Sequence, residues 1–158
     1  MQHADCFFEG QKTGWVSPLQ ASKLGADGVL LNHSEHRLSS GKIRQILKNT
    51  GLLKTMVCFK TKGQVAKWVK KLRPKPDFLA YEPPELIGGE TSVSQAQPGV
   101  IKRIIDLLPN CQIIVGAGIK EREDVKKALQ LGAKGVLVSS AVVKAKDPER
   151  TLHDLLGR

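Results

Sequence analysis

The chain alternates short, uninterrupted apolar runs with longer segments in which apolar residues recur every three or four positions. A short apolar run without polar alternation is typical of a strand that is buried on both faces of a parallel sheet. We predict such strands at 28–31, 55–59, 78–81, 111–115 and 135–138, with a further short strand at 2–4.

Amphipathic helices are predicted in the intervals between these strands. Two segments place their apolar residues on one helical face: Val65, Trp68, Val69 and Leu72, and then Ile101, Ile104, Ile105 and Leu108. Ser17 and Asp147 each precede a proline, which is typical of an N-cap followed by the first helical residue. The pattern therefore predicts an α/β protein in which strands and helices alternate.

One phrase occurs twice, as Leu-Gly-Ala-Asp-Gly-Val-Leu-Leu at 24–31 and as Leu-Gly-Ala-Lys-Gly-Val-Leu-Val at 131–138. In both copies we expect the first glycine to follow a helix as a left-handed cap and the second to open a strand. The same junction is thus used twice, as repeated units of strand and helix require. Such units form either an open doubly wound sheet or a closed barrel, and the pattern alone leaves both possible.

Composition and charge narrow the function classes. The 158 residues are 41% hydrophobic and 25% charged, which suits one globular domain with a buried core. The net charge is +10, but the basic residues are scattered, and the densest group, at 67–75, lies on the solvated face of a predicted helix. Nucleic-acid binding is the weaker alternative because no recognised module accompanies the charge. Electrostatic steering of an anionic small substrate needs no further assumption.

The cysteines and the hydropathy indicate the cellular setting. Cys6, Cys58 and Cys111 are odd in number and far apart, which fits neither a disulfide framework nor a zinc site. No apolar run approaches the roughly 20 residues of a membrane span, and residues 1–5 lack the basic start of a signal peptide. We therefore expect a cytoplasmic protein with free thiols and no membrane partner.

Polar side chains follow the predicted strands. Glu82 comes directly after the run 78–81 and before two prolines, and His33 follows the run 28–31. Because the carboxyl ends of parallel strands share one edge, we expect these residues on the face where α/β proteins bind ligands. A carboxylate there suits a general base, and an imidazole suits polarisation of a carbonyl. Taken singly, a solvated glutamate and a packed or exposed histidine are the more common outcomes.

Two small-residue turns complete this edge. Gly116-Ala117-Gly118 follows the run 111–115, and Ser139-Ser140 follows 135–138. Such turns bring backbone N–H groups close to an anion without an intervening side chain, although tight turns also need glycine for their own geometry. A base, an electrophile and a phosphate cradle together indicate proton abstraction beside a carbonyl in a phosphorylated sugar.

Four phrases resemble those of triosephosphate isomerases of the archaeal type. They are Leu-Leu-Asn-His-Ser-Glu at 30–35, Glu-Pro-Pro-Glu-Leu-Ile-Gly at 82–88, Gly-Ala-Gly-Ile at 116–119 and Val-Val-Lys-Ala-Lys-Asp-Pro at 142–148. They occur in the family's order and extend over nearly the whole chain. The resemblance implies a TIM (β/α) barrel and a cytoplasmic step of glycolysis and gluconeogenesis. It also implies interconversion of glyceraldehyde 3-phosphate and dihydroxyacetone phosphate without a metal or cofactor.

The resemblance also implies roles for individual residues. In the family's well-known mechanism, Glu82 shuttles the proton, His33 is the neutral electrophile and Glu35 is the acid beside it. Asn32 helps to fix the histidine loop, and residues 83–94 form a mobile lid. The phosphate-binding backbone is implied at Gly88, Gly116, Gly118, Ser139 and Ser140.

Three departures from the family pattern qualify these expectations. We expect the chain to start at the family's third strand, and so predict a single truncated domain over 1–158 with about six units. The family's Asn-x-Lys on the first strand is then missing, and Lys60 is on the wrong side to replace it. Gly-Gly-Glu at 88–90 replaces Gly-Thr-Gly, where Glu90 is expected to repel phosphate or strain the turn. We expect weakened activity, or alternatively an inactive homologue that retains phosphate binding or self-assembly.

A barrel that lacks two strands either closes compactly with six or stays open with two unpaired edges, and we favour the open form because the strand tilt and shear of eight strands do not transfer freely to six. Exposed strand edges and apolar faces favour pairing with another chain. Cys6-Phe7-Phe8, on the loop that joins subunits in the family, supports the same conclusion. We therefore expect a homo-oligomer, a dimer or larger.

Overall fold

The computed structural model describes residues 1–7 and 10–158. Five strands form one parallel sheet in chain order. They are β1 (Gly28–Leu31), β2 (Lys54–Phe59), β3 (Phe78–Tyr81), β4 (Gln112–Gly116) and β5 (Gly135–Leu137). Helices separate them, which confirms the predicted α/β class and is consistent with part of a TIM barrel.

Ser17 and Asp147 cap two helices as predicted, and the described residues form eight helices. They are α1 (Pro18–Lys23), α2 (Ser40–Leu47), α3 (Lys62–Lys67), α4 (Val93–Ala96), α5 (Pro98–Leu107), α6 (Arg122–Gln130), α7 (Ser140–Val143) and α8 (Pro148–Leu156). The Ser17 hydroxyl accepts the Gln20 N–H at 3.2 Å, and the Asp147 carboxylate accepts the Arg150 N–H at 2.9 Å. Each bond satisfies a backbone donor that the first helical turn leaves open.

The repeated phrase folds as predicted in both copies. Gly25 follows α1 with φ +84°, and Gly132 follows α6 with φ +98°. A left-handed φ is costly for a residue with a Cβ, which is why glycine ends both helices. β1 and β5 then begin at the second glycine of each copy.

The helix predicted over Val65–Leu72 is wrong in its second half. The α-helix ends at Lys67, and a 3₁₀ turn occupies Val69–Lys71. Trp68 has φ −142°, outside the helical region, so the ladder of hydrogen bonds breaks there. Val69 and Leu72 are nevertheless buried in the tighter turn, so tertiary burial replaces the regular helical spacing.

The strand predicted at 2–4 is wrong, because the described residues form five strands and not six. Met1 nonetheless lies beside β1. Its terminal amine donates to the Gly28 carbonyl at 3.0 Å, and its carbonyl accepts the Leu30 N–H at 2.9 Å. These two bonds have the pattern of a parallel bridge.

The contacts divide the chain into two compact units, one of residues 1–59 and 63–79 and the other of 60–62 and 80–158. The single domain over 1–158 stays a prediction. The largest buried side chains of the first unit include Leu31, Ile43, Ile46, Val57, Phe59 and Val65. Those of the second unit include Val93, Ile101, Ile104 and Ile113.

The described residues contain three free cysteines and no helix suited to crossing a membrane. Cys6, Cys58 and Cys111 are free thiols, as predicted, with Cys58 buried and the other two half-buried. Throughout 1–7 and 10–158, no helix combines the length and apolar character that a membrane crossing requires.

Asp77 holds the start of β3 to β2 within the first unit. Its carboxylate accepts the Thr55 N–H at 2.8 Å and the Thr55 hydroxyl at 3.0 Å, and the Lys54 ammonium lies 3.2 Å away. Burial raises the pKa of the Asp77 carboxyl, but the bonds from Thr55 and Lys54 outweigh it and hold the pKa below its ordinary value of 3.8.

We expect Asp77→Asn to lower the free energy of unfolding by roughly 1–2 kcal/mol near neutral pH, because charged hydrogen bonds are replaced by weaker ones. A depressed carboxyl pKa stabilises the fold above the unfolded-state pKa, and this stabilisation is lost as the pH falls through the folded-state pKa. Urea titrations at several pH values, with the exposed Asp106→Asn as control, measure the difference. A difference that stays constant from neutral to strongly acidic pH would contradict the assignment.

Candidate active site

Glu82 closes β3 and is buried, with 5% of its surface exposed. The strand Phe78–Tyr81 is apolar and ends there because Pro83 and Pro84 cannot donate to a strand ladder. Burial of a carboxylate is costly. The apolar run before Glu82 does not offset this cost, so the groups packed around the carboxylate must accommodate it.

The backbone of Gly116 forms one wall around this carboxylate. A Cβ at Gly116 would lie 2.8 Å from both Cγ and Oε1 of Glu82 and 3.1 Å from its Cδ. The space that a side chain at position 116 would need is therefore occupied by the carboxylate. Gly116 is required here for close approach.

Tyr81, next to Glu82 in the chain, is buried and bonded to a residue beyond the lid (residues 83–94). Its hydroxyl donates to the Gln97 side-chain oxygen at 2.6 Å, and the Gln97 amide donates to Glu85 at 3.3 Å. Burial, and then the negative charge of Glu85, raise the pKa of Tyr81 to about 12. The phenol therefore stays protonated as a donor, and the chain of bonds joins the two ends of the lid.

The lid begins with a 3₁₀ turn at Pro84–Leu86 and turns at Gly88, which has φ +71°. Glu90 does not have a positive φ. The backbone strain that we expected where glutamate replaces a glycine is therefore absent at this position. Near the end of the lid, the Ser92 hydroxyl caps α4 by accepting the Gln95 N–H.

The end of the lid lies against the turn that follows β4. Ala117 and Gly118 have φ +81° and +69°, and the Ala117 carbonyl accepts the Val93 N–H at 3.0 Å. A Cβ at Gly118 would collide with the Thr91 carbonyl oxygen and lie 2.9 Å from the Ser92 Cα. Both the left-handed backbone and this close approach require a glycine at 118.

Ser139 and Ser140, after β5, are exposed. The Ser139 carbonyl accepts the N–H groups of Val142 and Val143 at 3.0 and 2.9 Å, which starts the short helix α7. The first backbone N–H groups of a helix have no partner within it and remain available to a ligand.

In the first unit, Asn32 organises the loop that follows β1. It has φ +62°, which asparagine tolerates better than most residues, and it is buried. Its amide donates to the Cys58 carbonyl at 2.7 Å, and its side-chain oxygen accepts the Leu38 N–H at 2.9 Å. The Arg37 guanidinium donates to the Asn32 carbonyl at 3.0 Å. The loop between Asn32 and Leu38 is therefore closed by one buried side chain.

His33 lies in this loop with 24% of its side chain exposed, against 86% for Glu35. Its Nδ1 accepts the backbone N–H of Glu35 at 3.4 Å, and a Glu35 carboxylate oxygen lies 3.7 Å from the same nitrogen.

The predicted site residues thus fall in both units. Asn32, His33 and Glu35 belong to the first, whereas Glu82, Gly88, Gly116, Gly118, Ser139 and Ser140 belong to the second. Their meeting at one common edge stays a prediction. Two residues that bond to these loops, Arg37 and Gln97, were not predicted, because nothing in their local sequence pattern marks them. Among the described residues, no cluster of three His, Cys, Asp or Glu side chains has the geometry to hold a metal ion.

Comparison with known proteins extends over nearly the whole chain. The family model of triosephosphate isomerase matches residues 1–155. The chain is 43% identical to the triosephosphate isomerase of Thermoplasma volcanium, over 98% of its own length and 73% of that protein's. It is 42% identical to that of Methanoculleus marisnigri, over 99% of its length and 72% of the relative. It is also 42% identical to that of Saccharolobus solfataricus, over 98% of its own length and 69% of the relative.

These relatives confirm the predicted resemblance and the shorter length, since the chain covers 69 to 73% of the three proteins. About two residues in five are identical along nearly the whole chain, which is more similarity than a shared fold alone produces. The chain belongs to the triosephosphate isomerase family.

Proposed function

We propose that the chain interconverts glyceraldehyde 3-phosphate and dihydroxyacetone phosphate by proton transfer between Glu82 and the substrate. The observation that carries the proposal is the buried Glu82 carboxylate at the end of β3, set against a glycine that leaves room for no side chain. Family membership supplies the reaction class.

In the proposed reaction Glu82 removes a proton from the carbon beside the carbonyl. The C–H electron pair forms the carbon–carbon double bond of an enediolate, and the carbonyl electrons move to oxygen. The proton of the neighbouring hydroxyl passes to that oxygen. Glu82 then returns its proton to the carbon that first bore the carbonyl, and the carbonyl forms again on the other carbon. Burial supports this role because a site closed to water protects the enediol from side reactions.

His33 is proposed as the group that stabilises the charge on oxygen. Its Nδ1 faces the Glu35 N–H, and the Nε2–H is the group proposed to donate to the substrate carbonyl. Glu35, exposed and 3.7 Å from Nδ1, is proposed to assist proton relay. Asn32 supports the arrangement, since its two side-chain bonds hold the loop that carries His33.

The backbone at Gly88, Gly116, Gly118, Ser139 and Ser140 is proposed to bind the substrate phosphate. Backbone N–H groups at glycine turns and helix starts favour anions. The turn at Ala117 and Gly118 supports this, because backbone N–H groups in turns form concave sites that bind anions. The positive net charge of +10 favours approach of an anionic triose.

Glu82→Gln tests the proposed base. The amide has the same shape but cannot accept the proton, so we expect kcat to fall at least about a hundredfold. A coupled spectrophotometric assay measures the rate. Glu149→Gln, the same change at an exposed position in α8, is the matched control and should leave kcat unchanged.

Equal rates for the wild type and Glu82→Gln would contradict the proposed mechanism. Such a result, with phosphate still bound, would favour the second candidate, a phosphate-binding relative without turnover. The specific observation behind that candidate is the coverage of only 69 to 73% of the relatives' length.

Gly116→Ala tests the close approach to Glu82. The added methyl would lie 2.8 Å from the Glu82 Oε1, so the carboxylate must move. We expect kcat/KM to fall by roughly a hundredfold or more, because small misplacements of a reacting group are costly. The control is Gly99→Ala, where a Cβ meets nothing within 4 Å and the helix gains stability. Similar rates for both variants would show that the carboxylate does not depend on Gly116.

We further propose that the chain forms a homo-oligomer. Apolar side chains on α7 and α8 are exposed, with Val143 at 69%, and they offer a surface for a second copy. Phe7 supports association less than expected, because it is buried and packs edge to face against Trp15 at 6.1 Å; Phe8 lies outside the described residues. Multi-angle light scattering at micromolar concentration should give a multiple of 17.3 kDa, and a stable folded monomer would contradict the proposal.

A further inference from the structure

Asp124 is a buried carboxylate near the start of α6, with 3% of its surface exposed. One of its oxygens, Oδ2, accepts the backbone N–H groups of Lys120 and Glu121 at 3.0 and 3.3 Å. The other, Oδ1, accepts the Gln95 side-chain amide at 2.8 Å. The two oxygens therefore bond to different parts of the chain, one to the loop after β4 and the other to the segment just beyond the lid.

The same two parts make further contacts around Asp124. The Ser94 hydroxyl donates to the Asp124 backbone carbonyl at 3.1 Å and is buried, with the Ser92 hydroxyl 3.0 Å from it. The Val93 N–H donates to the Ala117 carbonyl at 3.0 Å. Three consecutive residues, 93 to 95, are thus each bonded to the turn after β4 or to Asp124.

A helix cap explains only half of this arrangement. The bonds to Lys120 and Glu121 satisfy backbone donors at the start of α6, as any capping acid does. The bond to Gln95 adds nothing to the helix. Gln95 is itself exposed, so water would satisfy its amide if the carboxylate did not fix it.

We propose that Asp124 is a positioning residue that holds the carboxyl end of the lid, through Gln95, on the Gly116–Gly118 turn. The inference rests on the proposed function, in which both parts contribute backbone to the phosphate site. Gly118 shows how closely they fit, because it leaves no room for a Cβ beside Thr91 and Ser92. A shift of the lid end therefore changes the geometry of the turn.

Exchange of the two side-chain types tests this bond. Gln95→Glu places a second carboxylate against Asp124 and removes the donor. Asp124→Asn alone keeps a neutral bond, because the Gln95 amide can turn its oxygen toward the new donor. In the double variant the amide introduced at position 124 donates to the carboxylate introduced at position 95, while the amide oxygen still accepts the N–H groups of Lys120 and Glu121.

The first measurement is amide hydrogen exchange at Val93, whose N–H bonds to Ala117. We expect Gln95→Glu to speed this exchange at least about fivefold, as loss of a charged hydrogen bond predicts, and the double variant to return it to within about twofold of the wild type. The buried Val57 amide in β2 reports global opening and should not change. Gln112→Glu, which adds the same charge at an exposed position of β4, is the control.

The second measurement is steady-state kinetics with the triose phosphate. We expect Gln95→Glu to raise KM at least about fivefold with kcat within about twofold, because phosphate contacts act on substrate and transition state alike. The double variant should restore KM. A merely structural loss would lower thermal stability without this split or this rescue.

The two failures can be told apart. If the wild type shows no turnover, the proposed function is wrong, and the exchange of Val93 still decides whether Asp124 and Gln95 hold the lid. If Val93 exchange and KM in Gln95→Glu match the wild type, or if the effects of the two single changes simply add in the double variant, the positioning role is overturned.

Discussion

The site depends on the absence of a side chain opposite the Glu82 carboxylate. A carboxylate that is 5% exposed loses most of its hydration, and this cost restricts the places where the chain can accommodate it. Here β4 meets that restriction with Gly116, the last residue of the strand, where a methyl group would overlap the carboxylate. At the carboxyl ends of β3 and β4, the Glu82 carboxylate therefore packs against the backbone of Gly116, which has no side chain. The prolines after Glu82 and the left-handed turn after Gly116 end the two strands at this contact.

The lid is held at both ends by polar groups that belong to the second unit. At one end the Tyr81 hydroxyl and Glu85 bond to the same glutamine, Gln97. Burial keeps that phenol protonated, with a pKa raised to about 12, so the direction of the hydrogen bonds does not change over the ordinary pH range. At the other end the backbone of Val93 is bonded to Ala117. Hydrogen bonds therefore fix this segment to the rest of the second unit near both of its ends.

Local chemistry explains what the sequence predicted well. Apolar runs predicted all five strands of the described residues, and the caps at Ser17 and Asp147 predicted helix starts, because each depends on neighbouring residues alone. The break at Trp68 was not predictable, since Val69 and Leu72 follow a good helical spacing and only their tertiary burial favours the tighter turn. The candidate site shows the same division. Motifs marked Glu82 and His33 as candidates, which stays a prediction, whereas the contact of Glu82 with Gly116 and the bond from Arg37 to Asn32 depend on how separate segments pack.

Within the described part of the chain, two non-glycine residues have left-handed backbone, Asn32 and Ala117, and both lie in loops directly after strands. A left-handed φ costs such residues on the order of 1 kcal/mol, so it persists only where other bonds compensate. Asn32 is compensated by its own side chain, which bonds to Cys58 and Leu38. Ala117 has no such side chain, and its carbonyl is instead bonded to the Val93 N–H at the end of the lid. The first loop is therefore held by the side chain of the left-handed residue itself, whereas the turn after β4 is held by a backbone bond from the end of the lid.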